Sequence, residues 1–274
     1  MTVTNAVETT MIWGTVSGAS MVGMVISLLL SVVLPIFLGI FIYKKTKAWV
    51  PAFFIGCGIF VGFAMILEQI CHAIVLTVTG DVIRDNIWLY AIYGGLAAAL
   101  FEECGRWIAM TFCLKKHLTR ENALMYGAGH GGIEAFLILG MSSMSNLLTA
   151  AMINGGLMEK TMTALEPAQQ EVTYHQLSVL WTTPAYQFYL APVERISAIA
   201  LQIALSILVY SAVKTGRKLQ LAAAFGLHFA VDFLTVICAS MIPTWALELG
   251  LLVVVAVICA AVYKLVYVHS AEKK

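Results

Sequence analysis

Seven runs of predominantly apolar residues, near 17–43, 49–78, 87–114, 123–151, 187–213, 219–241 and 244–267, leave this chain few ways to fold. A bilayer core about 30 Å thick is crossed by roughly 20 residues of helix. Inside lipid every backbone N–H and C=O must be satisfied within the protein, which single helices do unaided. The runs therefore predict an all-α fold: a polytopic membrane helix bundle of seven transmembrane helices, forming one integral membrane domain over residues 1–274. Composition agrees, with 61% hydrophobic and 11% charged residues, against about 25% charged in an average soluble domain. A formal net charge of +1 supplies no basic field for a polyanion, which excludes nucleic acid and leaves the lipid bilayer as the first partner. The expected location is the cell (plasma) membrane, as a multi-pass protein.

Positive residues are retained on the cytoplasmic side of a membrane. Lys44, Lys45 and Lys47 follow the first run, Lys115, Lys116 and Arg120 the third, Lys214, Arg217 and Lys218 the fifth, and Lys264, Lys273 and Lys274 lie at the end. These are twelve of the 16 basic residues, all on one side of a seven-span chain. The N-terminus is expected outside and the C-terminus inside, and an even span count would break this bias. Met1 to Thr10 carries Glu8 and no Lys or Arg, so the first run reads as a retained span rather than a cleaved signal. The one long polar connection, about Asn154 to Thr183, falls on the outer face. Its stretch from Gln169 to Leu180 is expected as a short surface helix, a structural lid or spacer.

Ionisable groups at mid-membrane cost on the order of 2.5–3.5 kcal/mol each, and usually face the bundle interior. This chain holds many: Glu68 and His72 in the second run, Glu102, Glu103 and Arg106 in the third, His130 and Glu134 in the fourth. Glu194 and Arg195 follow in the fifth, His228 and Asp232 in the sixth, and Glu248 in the seventh. At 1.5 Å of rise per residue, Glu103, His130 and His228 all come out roughly 10–17 Å below the cytoplasmic surface. Glu68, His72, Glu194 and Arg195 lie deeper or toward the outer face, as a second cluster or as the floor of the first.

Arg106 stands four residues after Glu102 and three after Glu103, so a helix lets it fold back onto both carboxylates. The adjacent glutamates point about 100° apart, which allows one to bond Arg106 while the other faces a cavity. His130 with Glu134, and His228 with Asp232, repeat an i,i+4 pairing of imidazole and carboxylate. The acid there either holds the ring's tautomer or shares an ion with it. Fully ionised, Glu102, Glu103, Glu134 and Asp232 against one arginine leave net negative charge in a low dielectric. Some of these carboxylates must hold protons, the poise general acid–base chemistry wants, or a divalent cation must sit among them. Gly127 and Gly131 form a small-xxx-small face for close helix approach, which also leaves room for water or an extended peptide beside His130.

Glu102-Glu103-x-x-Arg106, Tyr126-x-x-x-His130 and His228-x-x-x-Asp232 on three membrane helices resemble the motif set of the CAAX-protease and bacteriocin-processing intramembrane endopeptidases. With Gly129-His130-Gly131-Gly132 and the Glu194-Arg195 pair in this order, the chain looks more closely like the YhfC-type membrane peptidases, over about residues 17–267. The resemblance implies an intramembrane protease that cuts a membrane-associated polypeptide. It makes Glu102 or Glu103 with His130 the water-activating pair, and His228 with Asp232 the oxyanion-side pair. The wider class spaces its arginine one residue further on, and often has Asn where this chain has Asp232. An ionised carboxylate is a poor oxyanion donor, so Asp232 is left to orient His228 or to bind metal.

Metal-free glutamate chemistry and an open Zn2+ site built from His130, Glu134 and His228 both remain open, and no HExxH is present. Two readings of other classes compete. A proton- or cation-coupled transporter would carry a similar relay of acids and histidines, although the inverted repeats and broken helices common in transporters are not seen. A non-catalytic membrane scaffold or immunity protein would have no need of an intact set of Glu102, Glu103, His130 and His228.

Overall fold

The computed structural model describes residues 11–269; Glu8, Lys273 and Lys274 lie outside this range. Its described elements are helical throughout, and seven are long and apolar enough to cross a membrane: Gly18–Thr46, Pro51–Thr79, Ile87–Cys113, Arg120–Asn154, Ala185–Thr215, Lys218–Ala239 and Thr244–Tyr267. These are the seven expected spans, with ends shifted by a few residues because caps set the boundaries more sharply than hydropathy does. The Ser17 side chain accepts from the Ser20 N–H to start the first span, Asn86 accepts from Trp88 and Leu89 to start the third, and Thr119 accepts from Asn122 to start the fourth. Pro51 opens the second, where its missing N–H costs nothing.

Lipid is the expected neighbour of the apolar side chains left uncovered. Leu29, Val33, Phe37 and Ile40 on the first span and Leu252, Val253 and Val257 on the seventh are all exposed. The fifth span is the axis of the bundle. Its C-terminal half, from Ser197 to Ala212, is mostly buried, and it packs against the first, third, fourth, sixth and seventh spans.

Two other contacts bring the site together. The second span lies on the fourth so closely that a Cβ at Gly56 would stand 2.2 Å from the Tyr126 carbonyl oxygen, and one at Gly129 would stand 1.9 Å from that of Phe53. The Gly127 and Gly131 face is filled by the fifth span: Cβ atoms there would meet Ile203 and Ser206, and Gln202 and Ile199, at 2.7–3.1 Å. The stripe is thus used for packing, and the room expected beside His130 is taken by the neighbouring helix. The third and sixth spans pair along their length, with Gly95 against Phe229.

Short π-helical stretches interrupt three of the site-bearing spans: Val61–Glu68 in the second, Ala109–Cys113 in the third and Phe136–Gly140 in the fourth. Each adds a residue to the local turn and so rotates the rest of its helix, and such insertions are frequent at functional sites. One ends at Glu68, one begins just past Arg106 and one just past Glu134. The polar connection after the fourth span does contain a surface helix, Pro167–Thr182, two residues longer at each end than expected. Its Tyr174 meets Trp13 edge-on and its Trp181 lies tilted against the same ring, and the Tyr174 hydroxyl donates to the Ile12 carbonyl, tying the connection to the start of the first span.

Candidate active site

Helices three, four and six carry their polar residues to one level, and the fifth supplies the groups that knit them together. Glu102 and Glu103, neighbours in sequence, diverge as their helical spacing requires. Glu102 lines a cavity of about 560 Å³, while Glu103 lies behind it, fully buried. On the cavity side, Glu102 Oε2 is 2.9 Å from His130 Nε2, accepts from Gln202 Nε2 at 2.8 Å, and faces His228 Nε2 at 3.9 Å. Both imidazoles therefore stand beside one carboxylate oxygen. Behind the cavity, Glu103 Oε1 lies 2.8 Å from His228 Nδ1 and 3.5 Å from the Arg106 guanidinium.

Arg106 does not fold onto both glutamates, as its spacing suggests. Among the described contacts it meets Glu103 alone of the two, and spends its other donors on the Gln202 backbone carbonyl at 3.0 Å, on Ser206 Oγ at 3.3 Å and on Gln202 Oε1. Gln202 is the reason. With its carbonyl oxygen held by Arg106, its amide nitrogen donates to Glu102 Oε2 and to Glu134 Oε2, 2.8 Å each, and so takes the place beside Glu102. A search for ionisable residues passes over Gln202; the available signal was an amide in the apolar stretch that follows Arg195 in the fifth span, where an unpaired amide is costly.

The i,i+4 pairs are also rearranged. His130 bonds to Glu102 of the third span, and Glu134 goes instead to Gln202 and to Arg195, 3.1 Å away. His228 has Asp232 at 3.5 Å on one side, but the closer carboxylate at its other nitrogen is Glu103. A carboxylate from a facing helix meets a ring nitrogen head-on, whereas one on the same helix must bend along its own surface. His130 is enclosed further by Phe60, edge-on at 5.2 Å, and by the Tyr126 hydroxyl at 3.5 Å from Nδ1.

Glu68, His72, Glu194 and Arg195 line the same cavity, so they belong to one site rather than to a second cluster. Arg195 pairs with its neighbour Glu194 as well as with Glu134. Glu68 and His72 are 3.2 Å apart. Glu248 is buried on the seventh span, off the cavity wall.

Glu102, His130 and Glu134 each offer a ligand atom, all within 4.8 Å of one another, and all three residues are buried. Two carboxylates and an imidazole are a donor set that suits zinc and leaves a fourth position open, so these residues fit a divalent cation. His228, the third ligand expected from the sequence, stands outside this group, with its Nε2 3.9 Å from Glu102 Oε2.

A seven-span helical membrane protein with a buried network of glutamate, histidine and arginine on its third, fourth and sixth helices is the class that fold and site define. Residues 30–259 match the model of one such group, and the chain belongs to the YhfC intramembrane metalloprotease family. It is 41% identical over 222 residues to the uncharacterized membrane protein YhfC of Bacillus subtilis (strain 168), an alignment covering 78% of this chain and 83% of that protein. No solved structure matches it.

Proposed function

We propose that the protein is an intramembrane endopeptidase that hydrolyses a peptide bond in a membrane-associated polypeptide, in the cytoplasmic half of the plasma membrane. The observation that carries this is the Glu102 carboxylate at the wall of the cavity, with the buried His130 imidazole against it and a second, His228, facing it at 3.9 Å. Of the two adjacent glutamates, Glu102 is the one a substrate would meet.

The side chains that face the cavity set the chemistry. The Glu102 carboxylate takes a proton from water held between it and the scissile bond, while His130 and Gln202 keep that carboxylate in place. The water oxygen attacks the carbonyl carbon, and charge develops on the carbonyl oxygen. His228, carrying a proton on Nε2, hydrogen-bonds that oxygen and then gives the proton to the departing amine nitrogen as the C–N bond breaks; the proton that Glu102 took from water passes to His228 Nε2, 3.9 Å away, and restores both groups. Glu103 accepts from His228 Nδ1 and fixes the ring's direction, and Arg106 offsets the buried charge of Glu103. Asp232 lies 3.5 Å from His228 Nε2. A zinc or similar ion, held by Glu102, His130 and Glu134, would supply Lewis acidity toward the carbonyl and ease deprotonation of water.

The test is cleavage of membrane peptides by purified protein in detergent. Glu102→Gln keeps size and hydrogen bonding but removes the base, so turnover should fall by about 100-fold or more, with an unchanged melting profile. If the unsubstituted protein makes no cut product, and Glu102→Gln instead abolishes pH-dependent uptake into proteoliposomes, the protein is a transporter and the endopeptidase reading is wrong.

A further inference from the structure

The cavity that Glu102 borders continues along the third span, past Ala98 and Gly94, to a second set of polar groups near the connection between the second and third spans. There Glu68, His72 and Tyr93 lie together: His72 Nε2 is 3.2 Å from Glu68 Oε1, an ion-pair distance, and His72 Nδ1 shares a hydrogen bond of 2.8 Å with the Tyr93 hydroxyl. With the imidazole proton on Nε2, the nitrogen beside the carboxylate, Nδ1 accepts from the Tyr93 O–H. Both ends of this set are then left as acceptors. The Tyr93 oxygen keeps its lone pairs, and Glu68 Oε2 accepts no hydrogen bond from the described residues although the Glu68 side chain is nine-tenths buried and lines the cavity. Tyr90, one turn from Tyr93, adds a second aromatic ring to the same wall.

We infer that this end of the cavity is a subsite for a primary ammonium group of the substrate polypeptide, held by Glu68 Oε2 and the Tyr93 oxygen against the two tyrosine rings. A carboxylate, a phenolic acceptor and aromatic faces are together the chemistry that recognises an organic cation. They offer an anion only repulsion. The rest of the cavity agrees in sign, since four carboxylates, Glu102, Glu134, Glu194 and Asp232, face it against the Arg195 guanidinium and the His228 ring among the described residues. Tyr93 and Glu102 are nine residues apart on one helix, about 13 Å of rise. An extended peptide spans that in about four residues. The inference rests on the endopeptidase reading for its meaning, as a specificity site about four residues from the cut bond, but it is tested by binding.

The probes are fluorescent, N-acetylated apolar peptides about 20 residues long that carry one lysine or a norleucine in its place, and a norleucine peptide with a free N-terminus. Titrated against Glu102→Gln protein in detergent, the lysine peptide should bind about tenfold or more tighter than the acetylated norleucine peptide, the value of one charge-assisted contact. Tightening by the free N-terminus without tightening by the lysine would assign the ammonium to a chain end instead of a side chain. Adding Glu68→Gln should remove the preference and leave the norleucine affinity unchanged; Tyr93→Phe, which keeps the ring, should weaken it. Equal binding of all three peptides, or a lysine preference that survives both substitutions, overturns the subsite. A lysine preference without cleavage by the unsubstituted protein would retain the subsite and end the endopeptidase reading, while equal binding with cleavage would do the reverse.

Discussion

Arg106 and Glu103 are both fully buried, 3.5 Å apart, and each is tied to a different part of the site. Replacing Arg106 by methionine preserves volume but strands the Glu103 carboxylate, one oxygen of which already lacks a hydrogen-bond partner. It also frees the Gln202 side-chain oxygen from its Arg106 donor and leaves the Gln202 backbone carbonyl to the Ser206 hydroxyl. Breaking a buried pair from one side costs about 3–5 kcal/mol, because an uncompensated charge stays in low dielectric. Removing both charges, as Arg106→Met with Glu103→Gln, should recover part of this: the amide fills the same space and still accepts from His228 Nδ1. A coupling of about 1–3 kcal/mol is expected for residues in one network. The assay is reversible unfolding of purified protein in mixed micelles, followed by helix content, for both single variants and the double. If Arg106→Met costs less than about 1 kcal/mol, the range of an exposed ion pair, or if the double variant is as unstable as the sum of the singles, Arg106 is not the counter-charge of a buried glutamate and the electrostatic account of the site fails.

Other perturbations separate structure from chemistry. Gly56→Ala would place a Cβ 2.8 Å from the His130 amide nitrogen, so it should cost about 1–3 kcal/mol by overpacking and reduce turnover by displacing His130; Gly58→Ala, with nothing within 4 Å, should change neither. Elemental analysis of the purified protein reads the cation directly, and Glu134→Gln should lower any zinc content; the melting profile of metal-stripped protein reads separately what the variant loses with the Arg195 pair. A cysteine placed at Glu8 in a cysteine-free background should react with an impermeant reagent in intact cells, and one at Lys116 only after permeabilisation; the reverse pattern would invert the expected topology.

The sequence determined by itself that this is a seven-helix membrane protein, because twenty apolar residues have only one local solution in lipid, hydrogen bonds closed within each helix. It also put Glu103, His130 and His228 at a common depth, since rise per residue is a property of the single helix. Which of the two glutamates borders the cavity was not legible, because that depends on how the third helix is rotated against the fourth and sixth. Nor were the partners: His130 takes Glu102, His228 takes Glu103, and Glu134 turns to Arg195, each choice made between helices that local spacing cannot relate. Gln202 shows the difference most plainly. As one uncharged amide in the fifth run it carries no motif, yet once that helix becomes the axis of the bundle it bonds Arg106, Glu102 and Glu134 at once. Buried polar groups must find partners wherever the packing brings them, so the list of residues is written in the sequence and their pairing only in the tertiary structure.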